Sequence, residues 1–128
     1  MKANELRIGN LVLMAFENVV EPVTSRRIGF INQATSKGHS HPFEPIPLSE
    51  EWLIKFGFEG DDDERHIVLG FGGGEELSVE LLTKTCCLTR TNKNERDDYV
   101  YVAYPEYVHQ LQNLYFSLTG KELKYDEE

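Results

Sequence analysis

Apolar side chains recur with helical spacing near the end of the chain. Six of them fall on one face of a 3.6-residue helix: Tyr107, Val108, Leu111, Leu114, Tyr115 and Leu118. Pro105 suits the first turn of such a helix, and Gly120 suits the left-handed position just past its end. The pattern predicts an amphipathic helix over 105–120 whose apolar stripe is buried against the rest of the molecule.

Earlier segments show alternating or continuous apolar runs of strand length. Runs at 66–71 and 77–82 flank a glycine-rich segment, and runs at 85–91 and 99–104 flank a polar turn at 92–97. Because each pair is joined by a short turn, we expect two hairpins that form a four-stranded antiparallel meander. In the last strand, Tyr99 and Tyr101 fall on the same side, which we interpret as a core or protein-contact face.

The first half of the chain predicts a less regular arrangement. A turn at Gly9 and Asn10 leads into a short buried strand, and the alternation in 25–34 predicts a second strand. Three prolines in 35–47 favour a loop. Ser49 is a suitable N-cap for a two-turn helix over 49–56.

Together these elements predict an α+β fold in one domain spanning 1–128. We expect a mainly antiparallel sheet of about five or six strands, one long C-terminal helix and one short helix. The acidic tail at 124–128 is expected to be frayed.

Charge is distributed unevenly along the chain, whose net charge is −9. Residues 1–48 carry five basic and four acidic side chains, whereas residues 49–128 carry eight basic and eighteen acidic ones. An acidic field repels phosphates, so nucleic-acid binding is disfavoured for the larger part. The near-neutral N-terminal part leaves one alternative, in which Arg7, Arg26, Arg27 and Lys37 contact nucleic acid.

Cysteine content and hydropathy indicate a cytoplasmic protein. Cys86 and Cys87 are adjacent, and neighbours in a strand point to opposite faces, so a disulfide between them is unfavourable. The N-terminus lacks the apolar core of a signal peptide, and no apolar run is long enough to span a membrane.

No pattern of reactive side chains predicts catalysis, a cofactor or a metal. The glycine-rich segment lacks the third glycine and the Lys-Ser/Thr pair of phosphate-binding loops, and the acidic turn at 61–64 does not fit the register of an EF-hand. The histidines, which include His39 and His41, lack the spacing of zinc ligands, and so do the cysteines. Whether the loop histidines or the cysteines have another role stays open. We therefore predict that the protein is not an enzyme and has no catalytic, cofactor-binding or metal-binding residues.

Two blocks of sequence resemble a known family. Residues 46–58, IPLSEEWLIKFGF, are similar to its block IPLTEEWLLKFGF, and residues 107–123, YVHQLQNLYFSLTGKEL, are similar to its block YVHQLQNLYFALTGEEL. The opening LRIGNLV at 6–12 is also similar. The family consists of small bacterial proteins found in prophage and mobile-element settings. The resemblance implies such a setting, and it implies no activity and no site residues.

The sequence thus favours a non-enzymatic protein-interaction accessory protein. Its expected contact surface comprises Phe43, Ile46, Trp52, Tyr107 and Phe116. We expect a protein partner rather than nucleic acid or a membrane, and self-association stays open.

Overall fold

A computed structural model describes residues 3–60, 67–72, 74–91 and 97–124. The predicted α+β class is confirmed, with the strands divided between two antiparallel sheets. The chain forms two compact units: unit 1 comprises Met1–Pro47 and Glu106–Glu122, and unit 2 comprises Leu48–Pro105 and Leu123–Glu128. The single domain expected from the sequence stays a prediction.

Unit 1 contains a three-stranded sheet and two helices. A short 3-10 helix, Ala3–Glu5, precedes β1 (Leu11–Met14), β2 (Val19–Pro22), α1 (Ser25–Ser36) and β3 (Phe43–Glu44), and α3 (Val108–Thr119) follows much later in the chain. The sheet order is β2-β1-β3, with β1 antiparallel to both neighbours. The core cluster is formed by Leu6, Val12, Val23, Ile31 and Phe43.

The segment predicted as a strand at 25–34 is a helix, and that prediction was wrong. The Thr24 side chain caps α1 by accepting a hydrogen bond from the Arg27 amide (3.3 Å). Ile31 and Ala34 are buried and Ile28 is half-buried, so the buried positions recur every three residues. Phe30, which the alternation placed on the same face as Ile28, is 51% exposed, and its ring meets the Phe43 ring edge to face with centroids 6.2 Å apart.

The predicted C-terminal helix exists as α3 and begins later than Pro105. Tyr107 is its N-cap residue, and the Gln110 side chain accepts hydrogen bonds from the Glu106 and Tyr107 amides (2.8 and 3.2 Å). Gly120 ends the helix in the left-handed conformation (φ 73°). Val108 and Leu111 of the predicted stripe are buried, and Leu114 is half-buried.

Unit 2 contains a five-stranded antiparallel sheet and one short helix. The helix α2 (Glu50–Lys55) is capped by Ser49 as predicted, and the strands are β4 (Glu59–Gly60), β5 (Ile67–Gly72), β6 (Glu75–Glu80), β7 (Thr85–Thr91) and β8 (Asp97–Val102). The sheet order follows the sequence, which confirms the predicted meander and adds β4 at its edge. The acidic turn at 61–64 and the last part of the acidic tail lie outside the described residues.

One face of this sheet is the core face. Leu77, Val79 and Cys86 alternate inward on β6 and β7 and are buried. Gly57, the second residue after α2, lies next to the side chain of Leu69 on this face. The side chains between these positions in sequence therefore project from the opposite face of the sheet.

Candidate interaction surface

Among the residues whose side chains the structure describes, strand register assigns eleven of unit 2 to the face opposite the core. One row runs through Glu59, Val68, Ser78, Cys87 and Tyr101, which are partners on neighbouring strands. We call the whole set the open face: Glu59, Val68, Gly70, Glu76, Ser78, Glu80, Thr85, Cys87, Thr89, Tyr99 and Tyr101. None of these residues is buried.

Two tyrosines dominate the β8 side of the open face. Tyr99 is 62% exposed and Tyr101 is 69% exposed, and their rings meet edge to face with centroids 5.8 Å apart. Tyrosine combines a large apolar ring with a polar hydroxyl, and exposed aromatic rings are enriched in protein interfaces. The exposure of both rings therefore favours a protein-contact face over a core face.

The open face is hollow rather than flat. A depression of about 410 Å³ lies between the two tyrosines and Glu80, with Ser78, Thr85, Cys87 and Thr89 as its floor. A second depression of about 330 Å³ is lined by Glu59, Gly60, Val68, Gly70 and Glu76. Small side chains at the middle of the strands create this shape, because the aromatic and acidic side chains stand on either side of them.

The formal charges on the open face have one sign. Glu59, Glu76 and Glu80 contribute carboxylates, and no lysine or arginine occupies a position of the open face as defined. The nearest arginine in the register, Arg90, alternates with Thr89 onto the other side and forms an ion pair with Glu75 (2.5 Å). The surface is therefore acidic and aromatic, which does not suit phosphate groups.

The two cysteines differ in surroundings although they are adjacent. Cys86 is buried on the core face, and burial, reinforced by the neighbouring Cys87, raises its pKa to about 11. Its thiolate is therefore scarce at neutral pH, which does not suit a nucleophile. Cys87 is half-buried on the floor of the larger depression.

The contact surface predicted from the sequence is spread over different environments. Phe43 and Ile46 are buried. Trp52 is half-buried, with the Lys55 ammonium 4.7 Å from its ring centroid. Tyr107 is half-buried, and Phe116 is 38% exposed beneath the Arg7 guanidinium (4.2 Å). The role of these five residues in binding stays a prediction.

The four basic residues of the nucleic-acid alternative do not all face solvent freely. Arg7 and Arg27 form ion pairs with Glu122 and Glu21, each at 2.5 Å. Arg26 and Lys37 are exposed. They lie at opposite ends of α1, roughly 16 Å apart along its axis. The alternative stays a prediction that this geometry does little to support.

A cluster of polar side chains joins the two chain segments of unit 1. The Asn113 amide oxygen accepts hydrogen bonds from Arg7 Nε (2.8 Å) and Asn10 Nδ2 (2.9 Å), and Asn113 Nδ2 donates to the Glu5 carbonyl (2.9 Å). Gln112 accepts a hydrogen bond from the Leu11 amide (2.8 Å). Arg7 and Asn10 belong to the opening LRIGNLV at 6–12, and Gln112 and Asn113 belong to the block at 107–123. Their hydrogen bonds are directed at each other, which is a structural role.

His109 is the most enclosed ionisable side chain of this region. It is 0% exposed, and its ring stacks on that of Tyr107 with centroids 5.8 Å apart and planes 8° from parallel. Glu5 Oε2 lies 3.5 Å from its Nε2, which is too long for a good hydrogen bond, and neither ring nitrogen has a hydrogen-bond partner among the described residues. Desolvation lowers the pKa of His109, and the Glu5 carboxylate opposes that shift.

His39 and His41 lie two residues apart in the loop before β3 and have different surroundings. His41 Nδ1 accepts a local hydrogen bond from the Phe43 amide (3.3 Å), and His39 is exposed. Within the ranges that the structure describes, no group of three or more His, Cys, Asp or Glu side chains is placed to hold a metal ion. Of the open face, only the alternation at Tyr99 and Tyr101 was recognisable in the sequence.

No family model, curated protein or solved structure matches the chain. In the residues that the structure describes, none of the helices has the length and apolar character needed to cross a membrane.

Proposed function

We propose that this protein is a non-enzymatic protein-interaction module, an accessory protein of a prophage or mobile element. The observation that carries the interaction function is the open face, a hollow sheet surface with Tyr99 and Tyr101 exposed at its side. The resemblance of the two sequence blocks supports the genomic setting, and it bears on nothing else.

The physical argument for binding rests on the cost of exposed aromatic rings. A large apolar ring that stays exposed to water lacks the favourable free energy of burial, and contact with a partner supplies it. Tyrosine rings also lose little conformational entropy on binding, because they have only two side-chain torsions. The floor of small hydroxyl and thiol side chains leaves room for a partner's side chains in the depression.

Site-specific photo-crosslinking tests this proposal. A benzophenone amino acid replaces Tyr101 in one variant and Phe16 in another, because Phe16 is an aromatic residue of unit 1 that is 88% exposed. Illumination in the cells that naturally produce the protein should give a discrete crosslinked polypeptide from position 101 and much less from position 16. Equal crosslinking at both positions, or none at position 101, would contradict the proposal.

A further inference from the structure

We infer that the partner of the open face is an arginine-bearing polypeptide segment, an inference that rests on the proposed function and specifies its partner. Three properties of the face lead to this chemistry: its sign of charge, its aromatic rings and the spacing of both across the strands.

The carboxylates of the open face favour a cationic partner. Glu59 and Glu76 present exposed carboxylates on the described open face, which carries no basic side chain, so a cationic group gains attraction there that an anionic or neutral group does not. Residues 49–128, to which all these positions belong, hold eighteen acidic and eight basic side chains, so the wider field has the same sign. Complementary charge mainly steers association and selects the partner.

The exposed tyrosine rings favour arginine over lysine in the partner. A cation placed over an aromatic face is attracted by the ring's quadrupole, and arginine makes such contacts more often than lysine. Tyr99 and Tyr101 present exposed rings, and the exposed Glu76 stands in the same cross-strand row as Tyr99. A guanidinium group can lie flat on a ring and still donate hydrogen bonds to a carboxylate, whereas an ammonium group is a compact, strongly hydrated charge.

The spacing across the sheet favours a polypeptide segment over a single small cation. Neighbouring strands lie about 4.8 Å apart, and the register sets Glu76, Thr89 and Tyr99 in one row from β6 to β8. Glu59 and Glu76 line the second depression, on the β4 side of the first. A segment with several arginines can therefore reach the tyrosines with one side chain and the carboxylates with another, which a single small cation cannot do.

Fluorescence anisotropy with a defined probe tests this inference. The probe is a short fluorescein-labelled peptide in which arginine alternates with glycine, titrated with the full chain at low salt. Glu59→Gln with Glu76→Gln removes two exposed carboxylates of the open face, and Glu17→Gln with Glu44→Gln removes two exposed carboxylates of unit 1. Both double variants change the net charge equally, so the comparison separates the face from bulk attraction.

The expected result is a difference between the two double variants. The open-face variant should bind the peptide about fivefold more weakly, from two exposed ion pairs, and the unit 1 variant should bind within about twofold of the unchanged protein. Tyr99→Ser with Tyr101→Ser should weaken binding about fivefold as well, through the lost ring contacts. A lysine version of the peptide should bind more weakly than the arginine version, and circular dichroism of each variant verifies folding.

Three outcomes overturn the inference. Equal weakening in both carboxylate variants assigns the attraction to net charge alone, and unchanged binding in the tyrosine variant removes the aromatic contribution. A crosslink from position 101 to a segment without arginine, or to a second copy of this chain, also contradicts it, and in that case the open face is still an interaction surface. Absence of any crosslink from position 101, by contrast, contradicts the proposed function itself.

Discussion

Burial governs the chemistry of His109 more than hydrogen bonding does. Its imidazole is enclosed completely, it stacks on Tyr107, and its two nitrogens lack hydrogen-bond partners in the described part of the chain. A charged imidazolium in such a place would lose its hydration, and Glu5 at 3.5 Å compensates only in part. The folded protein therefore holds His109 in its neutral form.

This burial predicts a loss of stability as the pH falls. In the folded state the pKa of His109 lies below the ordinary value of 6.5, so below that pH the unfolded chain binds more protons than the folded one. The free energy of unfolding should decrease as the pH falls below 6.5, by at most about 1.4 kcal/mol at pH 5.5 from this residue. Urea unfolding at pH 7.5 and 5.5 measures it.

Two variants assign the effect to His109. His109→Gln should have a smaller decrease between the two pH values, whatever its own stability, because it has no imidazole to protonate. His39→Gln, which alters an exposed histidine, should keep the decrease of the unchanged protein. An equal decrease in both variants would show that other groups cause it.

Side-chain environment was only partly predictable from the sequence. The alternation on β8 correctly put Tyr99 and Tyr101 on one side, because period two is a local property of a strand. Phe43 and Ile46, predicted as contact residues, are buried in unit 1, and their role in binding stays a prediction. An apolar residue has the same sequence signal whether its own fold or a partner covers it. The polar partners Asn10, Gln112 and Asn113 had no periodic signal, since they meet across more than a hundred positions.

At the scale of elements, local signals decided which predictions were confirmed. The strands of the meander and the helix α2 have turns or caps next to them in sequence, and they were predicted nearly in place. The segment of α1 satisfies two periods at once: Ile28 and Phe30 alternate as in a strand, while Ile28, Ile31 and Ala34 recur as in a helix. The cap at Thr24 and the burial of Ile31 and Ala34 favour the helix.

Two glycines in helical contexts should respond oppositely to alanine. Gly29 is an exposed residue inside α1, with open space where an alanine methyl group would stand, so Gly29→Ala should raise the free energy of unfolding by about 0.5–1 kcal/mol. Gly120 has a φ of 73°, which alanine adopts poorly, so Gly120→Ala should lower it by about 1 kcal/mol. Thermal unfolding of both variants measures the signs, and a stabilising Gly120→Ala would contradict the left-handed end of α3.

At the scale of the whole molecule, most of unit 2 lies in sequence between the two segments of unit 1. Unit 1 is assembled from both ends of the sequence, with about 60 residues of unit 2 between Pro47 and Glu106. The Val108 amide donates to the Ile46 carbonyl (2.8 Å), so the ends of this intervening segment are held close together. Closing a flexible loop of that length costs about 3.5 kcal/mol or more, and a folded unit 2 removes much of this cost. From this topology we predict that the two units unfold cooperatively.

Asn113→Ala tests that coupling, because Asn113 joins the two segments of unit 1 by three hydrogen bonds. Losing them should lower the free energy of unfolding by about 2–3 kcal/mol, since one donor is charged. The exposed Asn32 provides the control Asn32→Ala, expected within about 0.5 kcal/mol of the unchanged protein.

In urea, hydrogen exchange of β1 amides reports on unit 1, and fluorescence of Trp52, the single tryptophan, reports on unit 2. Cooperative unfolding requires both midpoints to decrease together in Asn113→Ala. A decrease seen only in β1 would mean that the two units are separate domains.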